Sequence, residues 1–202
     1  MPKKVDPELQ RRAIAGAAIA VIDAAGIDGA RLRDVARAAA VTTGAITHYF
    51  DGKDAVLLAA MDEIVRRILD KQAGGAAPGV GLPDMAAAYL PTTPESQREW
   101  RVWIAFWGRA IADETLRARH RAYYAEITAR LAADLATVAP QLSAATALEI
   151  ADVIVAAIDG VGTRATLEPE QWPPARQRAA LARLLDAVPM NAADKERTHA
   201  NA

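Results

Sequence analysis

Apolar residues recur at three- and four-residue spacing through most of the chain, and this period constrains the fold more than any other feature. In the first such stretch, residues 7–25, Ile14, Val21 and Ile22 fall on one face together with several alanines. This spacing is the signature of an amphipathic α-helix, whereas a half-buried strand would alternate every second residue. Alanine, the strongest helix former, supplies 49 of the 202 residues. The sequence therefore predicts an all-α protein.

Nine helical stretches can be delimited from this period together with capping residues, glycines and prolines. They cover residues 7–25, 31–38, 42–49, 53–72, 84–90, 94–113, 114–139, 143–167 and 174–188. The segment 73–83 holds four glycines and two prolines, so it is a loop or a domain junction. We expect an N-terminal three-helix domain in 1–52, a larger helical bundle in 53–190 and a disordered polar tail in 191–202.

Composition excludes several protein classes. The chain has no cysteine, which rules out disulfide scaffolds, thiolate metal sites and thiol nucleophiles. Its histidines, His48, His120 and His199, lie far apart, and no catalytic triad, metal-ligand cluster or phosphate-binding loop accompanies them. We therefore predict no enzyme, no metal and no cofactor. The sequence shows neither a membrane-spanning run nor a signal peptide, so we expect a cytoplasmic protein without a membrane partner.

The charge distribution is slightly uneven along the chain, although the net charge is only −1. Residues 1–53 carry eight Lys/Arg against six Asp/Glu, a net charge of +2. The other 149 residues carry sixteen against nineteen, a net charge of −3. The N-terminal part therefore has the sign of charge that contacts with DNA phosphates require.

A helix-turn-helix pattern lies inside this basic part. The helices over 31–38 and 42–49, joined through 39–41, fit the description in which the second helix enters the major groove. Around them stand a glycine that ends the first helix, an Asp-Val-Ala run, an aromatic pair and a following lysine and leucine: Gly26, Asp34, Val35, Ala36, Val41, Gly44, Tyr49, Phe50, Lys53 and Leu57. With these residues the segment resembles the N-terminal DNA-binding domain of the TetR family of bacterial transcriptional regulators. The Thr-Gly-x-Ile-x-His-Tyr-Phe form is closest to its BetI-like branch.

The resemblance is specific over residues 7–70 and implies that the helix over 42–49 reads double-stranded operator DNA. The residues it places at base edges or phosphates are Thr42, Thr43, Gly44, Ala45, Thr47, His48, Tyr49, Lys53, Arg31, Arg33, Lys4 and Arg11. Residues 42–50 contain no Arg, Lys, Asn or Gln, the usual bidentate readers of guanine and adenine. Readout by Thr, His and an alanine methyl group is then expected to rely on thymine methyls, water and DNA shape. We expect a strong dependence of affinity on salt and modest discrimination at each base.

Three of the four tryptophans lie on one face of the helix over 94–113. Trp100, Trp103 and Trp107 share this face with Ile104 and Ile111. They are either plain core or the wall of a ligand cavity between helices. The resemblance implies an effector cavity in this domain. The candidate ligand contacts are Trp100, Trp103, Trp107, Tyr89, Tyr123, Tyr124 and Trp172.

The identity of the effector stays open between an apolar molecule and a quaternary amine. An aromatic pocket can hold a cation by cation–π attraction, and the BetI-like resemblance points to a ligand such as choline. Candidate anionic partners are Asp113, Glu114, Asp152 and Asp159, each of which could equally be solvated or structural.

The last two long helices carry small and apolar residues suited to pairing with a second copy of the chain. The predicted dimer contacts are Leu148, Ala151, Ile154, Val155, Ile158, Val161, Gly162, Leu181, Leu184 and Leu185. The rival interpretation is that these residues form ordinary core. The resemblance favours a homodimer, whose two-fold axis would match a palindromic operator.

These features predict a ligand-responsive transcriptional regulator that represses as a homodimer and is released by a small molecule bound in the C-terminal helical domain. The alternatives are an activator, or a helical binding protein of the same shape whose DNA binding is altered or lost.

Overall fold

A computed structural model describes residues 6–72 and 81–187, and these two ranges contain nine α-helices and no strand. The helices are α1 (Pro7–Gly29), α2 (Leu32–Ala38), α3 (Thr43–Tyr49), α4 (Gly52–Gln72), α5 (Leu82–Ala87), α6 (Pro94–Ala110), α7 (Glu114–Val138), α8 (Ala144–Leu167) and α9 (Pro174–Asp186). The predicted all-α class is confirmed. The predicted tail over 191–202 and the predicted contact Lys4 lie outside the described residues.

Side-chain caps explain where several helices begin. Asp6 accepts a hydrogen bond from the backbone N–H of Glu8 at 2.9 Å, ahead of a proline at the first helical position. Thr93 and Ser96 form a reciprocal capping box at the start of α6. Ser143 caps α8 by accepting a hydrogen bond from the N–H of Thr146 at 3.1 Å. These caps place the helix starts within a residue or two of the positions that the sequence predicts.

Glycine and alanine mark two sharp changes of direction near the N-terminus. Gly26 adopts φ +70° and interrupts α1, after which one further turn reaches Gly29. At the end of α2, the N–H of Val41 bonds to the carbonyl of Ala36 at 2.9 Å. The N–H of Ala40 bonds to the carbonyl of Arg37 at 3.2 Å. This is a Schellman motif with Ala40 at φ +53°, where glycine is usual.

Helices α1 to α3 close over one end of α4. Their shared core contains fully or nearly fully buried Ile14, Val35, Ile46 and Phe50, together with Leu57 from α4. The predicted inward direction of Ile46 and Phe50 is confirmed. Because both are held on one side of α3, the opposite side of that helix faces outwards.

The remaining helices form a bundle on the other end of α4. Helix α7 packs against α8, and α6 lies against both of them. Helix α5 packs against α7, α8 and α9. Helix α1 is shared, because it packs against α6 of the bundle as well as against α2 and α4. The N-terminal helices are therefore held on the bundle through both α4 and α1.

Candidate DNA-binding surface and ligand pocket

Helix α3 presents a short outer face built from small residues. Thr42 caps the helix, accepting from the N–H of Ala45 at 3.1 Å, which sets the angle at which the chain enters α3. Thr43, Thr47 and His48 are exposed, while Ile46 is fully buried. The structure thus brings the sequence-predicted base contacts together on one exposed surface.

Two details of α3 bear on what that surface can offer. The hydroxyl of Thr47 donates back into the helix, to the carbonyl of Gly44 at 3.1 Å and more weakly to that of Thr43 at 3.4 Å. A Cβ added at Gly44 would meet only Thr42 Oγ1, at 3.8 Å, so packing does not require a glycine there. The absent side chain at Gly44 instead leaves the first turn open to a molecule approaching from outside.

Several predicted phosphate contacts also hold the N-terminal helices together. Arg11 donates to the carbonyl of Tyr49 at 2.6 Å and lies over the ring of Phe50, with its Cζ 4.7 Å from the centroid. Lys53 Nζ donates to the carbonyl of Asp28 at 2.8 Å. Arg31 and Arg33 are exposed at the start of α2.

A cavity of about 50 Å³ lies between α4, α6, α7 and α8. Four predicted ligand contacts line it, namely Tyr89, Trp100, Trp103 and Tyr124. Aliphatic side chains complete its wall: Ile64, Ile68, Ile127, Val155 and Ile158. The cavity has room for a few water molecules, so a larger ligand must displace part of this wall.

Trp100 is fixed tightly at one side of the cavity. Its indole Nε1 donates to the carbonyl of Tyr89 at 2.9 Å. Its six-membered ring lies against the backbone of α8, where a Cβ added at Gly162 would be 2.1 Å from Trp100 Cη2. Gly162, predicted as a dimer contact, instead provides the space in which this indole lies.

Two carboxylates reach the cavity among these aromatic rings. Glu99 is only 4% exposed and lies 3.5 Å from Lys71 Nζ and 3.3 Å from Arg67 Nη1. Asp159 accepts from Tyr124 Oη at 2.7 Å. Burial raises the pKa of Asp159 to about 6, against the hydrogen bond from Tyr124, which lowers it. The wall thus combines aromatic rings with two carboxylates, of which Glu99 is paired with Lys71, another lining residue. Aromatic rings beside a carboxylate suit a compact cation.

Sequence reasoning named Asp159 as one possible anion but missed Glu99 and Lys71. Glu99 directly precedes Trp100 and lies four residues before Trp103. That placement beside the tryptophan face could have drawn attention to it. Its partners Arg67 and Lys71 belong to α4, about thirty residues away, so no local sequence pattern predicts these ion pairs.

Three other predicted ligand contacts do not line the cavity. Trp107 stands edge-on behind Trp100, with ring centroids 6.3 Å apart. Tyr123 packs in the core against Trp103, and its hydroxyl donates to Asp62 on the far side at 2.6 Å. Trp172 follows α8, where the guanidinium groups of Arg164 and Arg176 cover its ring. Trp107 and Tyr123 therefore support the lining rings from behind.

The residues predicted for the dimer interface are mostly interior. Eight of them are buried within the chain: Ala151, Ile154, Val155, Ile158, Val161, Gly162, Leu181 and Leu185. Only Leu148 and Leu184 are exposed. The apolar period of α8 and α9 therefore marks the faces that pack inside the protomer. The outer face of α8 carries Val153, 58% exposed, together with exposed Ala156 and Gly160.

In the described ranges, no cluster of three His, Cys, Asp or Glu side chains could hold a metal ion. Within 6–72 and 81–187, no helix has the length and apolarity needed to cross a membrane.

Two parts of the chain match known protein families. Residues 14–60 match bacterial regulatory proteins of the tetR family, and residues 81–189 match the C-terminal domain of BetI-type transcriptional repressors. The HTH-type transcriptional regulator BetI of Burkholderia mallei (strain NCTC 10229) is 33% identical over 175 residues, 84% of this chain and 88% of that protein.

Solved structures show the same fold. A transcriptional regulator from Rhodococcus sp. Rha1 superposes with a TM-score of 0.71 and 28% identity, covering 88% of this chain and 92% of that one. A protein from Saccharomonospora viridis, solved in complex with choline, has a TM-score of 0.74 and 22% identity, covering 89% and 97%. From its helix-turn-helix, its helical bundle and these matches, the chain belongs to the TetR family of bacterial transcriptional regulators, with a C-terminal domain of the BetI type.

Proposed function

We propose that this regulator represses transcription as a homodimer on a palindromic operator and is released by a small quaternary ammonium compound. The observation that carries the proposal is the cavity itself, where Trp100, Trp103 and Tyr124 stand beside the carboxylates of Glu99 and Asp159. A permanently charged ligand gains from the faces of the rings and from the negative charge, whereas an uncharged ligand gains only from burial. The choline found in the structural relative fits the same chemistry.

The DNA-binding part of the proposal rests on α3 and its surroundings. Its exposed Thr43, Thr47 and His48 would face the base edges, with Ala45 beside them. Thr42, Gly44, Tyr49, Lys53, Arg31, Arg33 and Arg11 would contact the phosphate backbone or position α3 on it. Acting on DNA places the protein in the cytoplasm of a bacterial cell. In this proposal residues 1–52 read DNA, and 53–190 bind the ligand and the partner copy.

The dimer would form through the outer face of α8 and α9. This face, which we call the outer α8–α9 face, consists of Leu148, Val153, Ala156, Gly160 and Leu184. Its side chains are apolar or small, and all of them are exposed in the single chain. On α8, Val153, Ala156 and Gly160 lie within about 60° of one another, and the small residues there allow two helices to approach closely. Leu148 stands at the edge of this face, and exposed Glu149 and Asp152 share the same side of α8.

The test compares choline with 3,3-dimethylbutan-1-ol, in which carbon replaces the charged nitrogen at almost unchanged shape. Tryptophan fluorescence reports binding, because Trp100 and Trp103 line the cavity. We expect choline to bind about tenfold tighter or more than the uncharged analogue. Choline should also weaken binding to a fluorescent duplex from the region upstream of the protein's own gene, as measured by anisotropy. Equal affinity for the two compounds would refute the ligand class.

A further inference from the structure

We propose that Glu99 sets the preference of the cavity for a cation and transmits its occupancy to helix α1 through a continuous chain of ion pairs. The chain consists of Glu99 on α6, Arg67 and Glu63 on α4, and Arg12 on α1, and we call it the ion-pair chain. The inference rests on the proposed function, since it assumes that a cationic ligand enters the cavity.

Glu99 belongs to the cavity and to the ion-pair chain at once. Its side chain lines the cavity and is almost fully buried. Oε2 lies 3.5 Å from Lys71 Nζ, and Oε1 lies 3.3 Å from Arg67 Nη1. A buried carboxylate needs such partners, because an unpaired charge in the interior is strongly unfavourable. A ligand ammonium in the cavity would therefore compete with Lys71 and Arg67 for the same two oxygens.

Arg67 connects the cavity to α1. Its Nε donates to Glu63 Oε1 at 2.9 Å, while Nη1 pairs with Glu99 at 3.3 Å and with the more exposed Glu95 at 3.2 Å. The guanidinium also lies against the backbone of α1, where a Cβ added at Gly16 would be 3.2 Å from Nη2. A movement of Arg67 would therefore displace α1 by direct contact and through the ion pairs of Glu63.

Glu63 forms the last junction of the chain. It is 7% exposed and receives Arg66 at 2.7 Å, Arg67 at 2.9 Å and, more loosely, Arg12 at 3.6 Å. Burial raises the pKa of Glu63, but hydrogen bonds from Arg66 and Arg67 outweigh this and lower it to about 2. The carboxylate of Glu63 is therefore charged throughout the physiological range.

The end of the chain lies next to the contact that positions the recognition helix. Arg11, the neighbour of Arg12 on α1, holds the carbonyl of Tyr49 at the end of α3. When a cationic ligand neutralises Glu99, this carboxylate attracts the guanidinium of Arg67 less strongly. Arg67 then moves towards Glu63, and its stronger pairing there weakens the contact between Glu63 and Arg12. The resulting change in α1 alters the position of α3. By linkage, the operator then weakens ligand binding by the same factor.

The test uses Arg12→Ala, with Arg101→Ala as the matched control. Arg101 also joins α6 to α1, through Asp23, but neither residue belongs to the ion-pair chain. The quantity measured is the ratio of duplex Kd values with and without saturating choline, in which any direct effect of the variant on DNA binding cancels. We expect Arg12→Ala to reduce this ratio by roughly threefold and Arg101→Ala to leave it unchanged. The affinity of the DNA-free protein for choline should be the same in both variants.

A second variant breaks the chain at its centre. Glu63→Gln, confirmed as folded by circular dichroism, should lose more of the choline response than Arg12→Ala while still binding choline. An undiminished response in Arg12→Ala, or an equal loss in Arg101→Ala, would overturn the ion-pair chain with the proposed function intact. A wild-type protein on which choline has no effect would instead refute the proposed function, and the chain with it.

Discussion

The indole of Trp100 lies on the backbone of Gly162, close enough that even one methyl group there would overlap the ring at 2.1 Å from Cη2. Gly162→Ala must therefore displace Trp100, which also loses its hydrogen bond to Tyr89. We expect a loss of about 1–3 kcal/mol in unfolding free energy and weaker choline binding. Gly108→Ala on α6, where a Cβ meets nothing within 4 Å, should be neutral or slightly stabilising. Urea unfolding and choline titration measure both variants, and equal behaviour would contradict the close contact.

The raised pKa of Asp159 predicts that choline binding depends on pH. Burial holds this carboxyl neutral below a pH of about 6. Choline affinity should therefore rise between pH 5 and pH 7 as Asp159 ionises. The other charged side chains that line the cavity are Lys71 and Glu99. The ionisation of Asp159 has the opposite effect on folding stability. Because the folded state holds this proton more tightly than the unfolded chain, the contribution of Asp159 to stability falls as the pH rises towards 6.

Asp159→Asn separates this effect from other titrations. The variant keeps a hydrogen-bond acceptor for Tyr124 and should bind choline with little change over the same pH range. His120, whose ring lies 4.3 Å from that of Tyr124, also has a pKa that burial lowers. His120→Gln is therefore the control, and it should retain the rise in affinity. A pH profile that disappears in His120→Gln and persists in Asp159→Asn would assign the titration to the histidine.

The outer α8–α9 face predicts the effect of charge on assembly. Val153→Glu combined with Leu184→Glu would place two carboxylates on each copy in the proposed interface. We expect the dimer Kd to rise about a hundredfold or more, giving a monomer at micromolar concentration in sedimentation velocity. Leu9→Glu changes a comparably exposed residue on α1 and should leave the dimer intact. A wild-type monomer at the same concentration would contradict the proposed dimer.

The apolar period in α8 and α9 predicts the two helices but not the residues of the proposed dimer interface. The period correctly locates α8 and α9, but it identifies the face with the most large apolar residues, and that face packs inside the protomer. Ile154 and Leu181 are accordingly fully buried. Val153 and Leu184 stand among exposed alanines and charged residues, so helical spacing alone does not distinguish them from ordinary surface.

Local sequence signals predict the helices and the aromatic residues of the cavity wall. Asp6 and Thr93 act over three residues or fewer, and the structure uses them as caps. Trp100 and Trp103 share a face because they belong to one helix. The charges at the cavity depend instead on α4 crossing α6, which brings Lys71 to Glu99. Such contacts between distant segments require the tertiary arrangement, so a single sequence does not disclose them.

The back-bonded hydroxyl of Thr47 predicts how this residue would read DNA. Since the hydroxyl donates to α3 itself, its methyl group is the part left to pack on a thymine methyl. Thr47→Val keeps the methyl group and should bind the duplex within twofold of wild type. Thr47→Ser removes it and should bind roughly fourfold more weakly. Anisotropy titrations over a salt series should also show a steep salt dependence in all three proteins, as phosphate contacts require. The reverse ranking of the two variants would assign readout to the hydroxyl.

Ala40 predicts a stabilising substitution in the turn between α2 and α3. Its φ of +53° is a left-handed conformation that costs an alanine about 1 kcal/mol or more and costs a glycine little. Ala40→Gly should raise the unfolding free energy by about 0.5–1 kcal/mol after the entropy of the unfolded glycine is included. Ala38→Gly, at an exposed helical position nearby, should lower it by a similar amount. Thermal unfolding of both variants provides the comparison.

Because helix α1 packs against the helix-turn-helix and against the bundle, we expect the two parts of the chain to fold and unfold together. Its packing against α6 means that a fragment ending after α4 would expose the flank of α1 to water. The whole chain should then melt in one cooperative transition, and the N-terminal helices should not survive excision as an independent reader of DNA. Grafting this reading unit onto a different sensor would consequently require carrying over the surface of α6 as well.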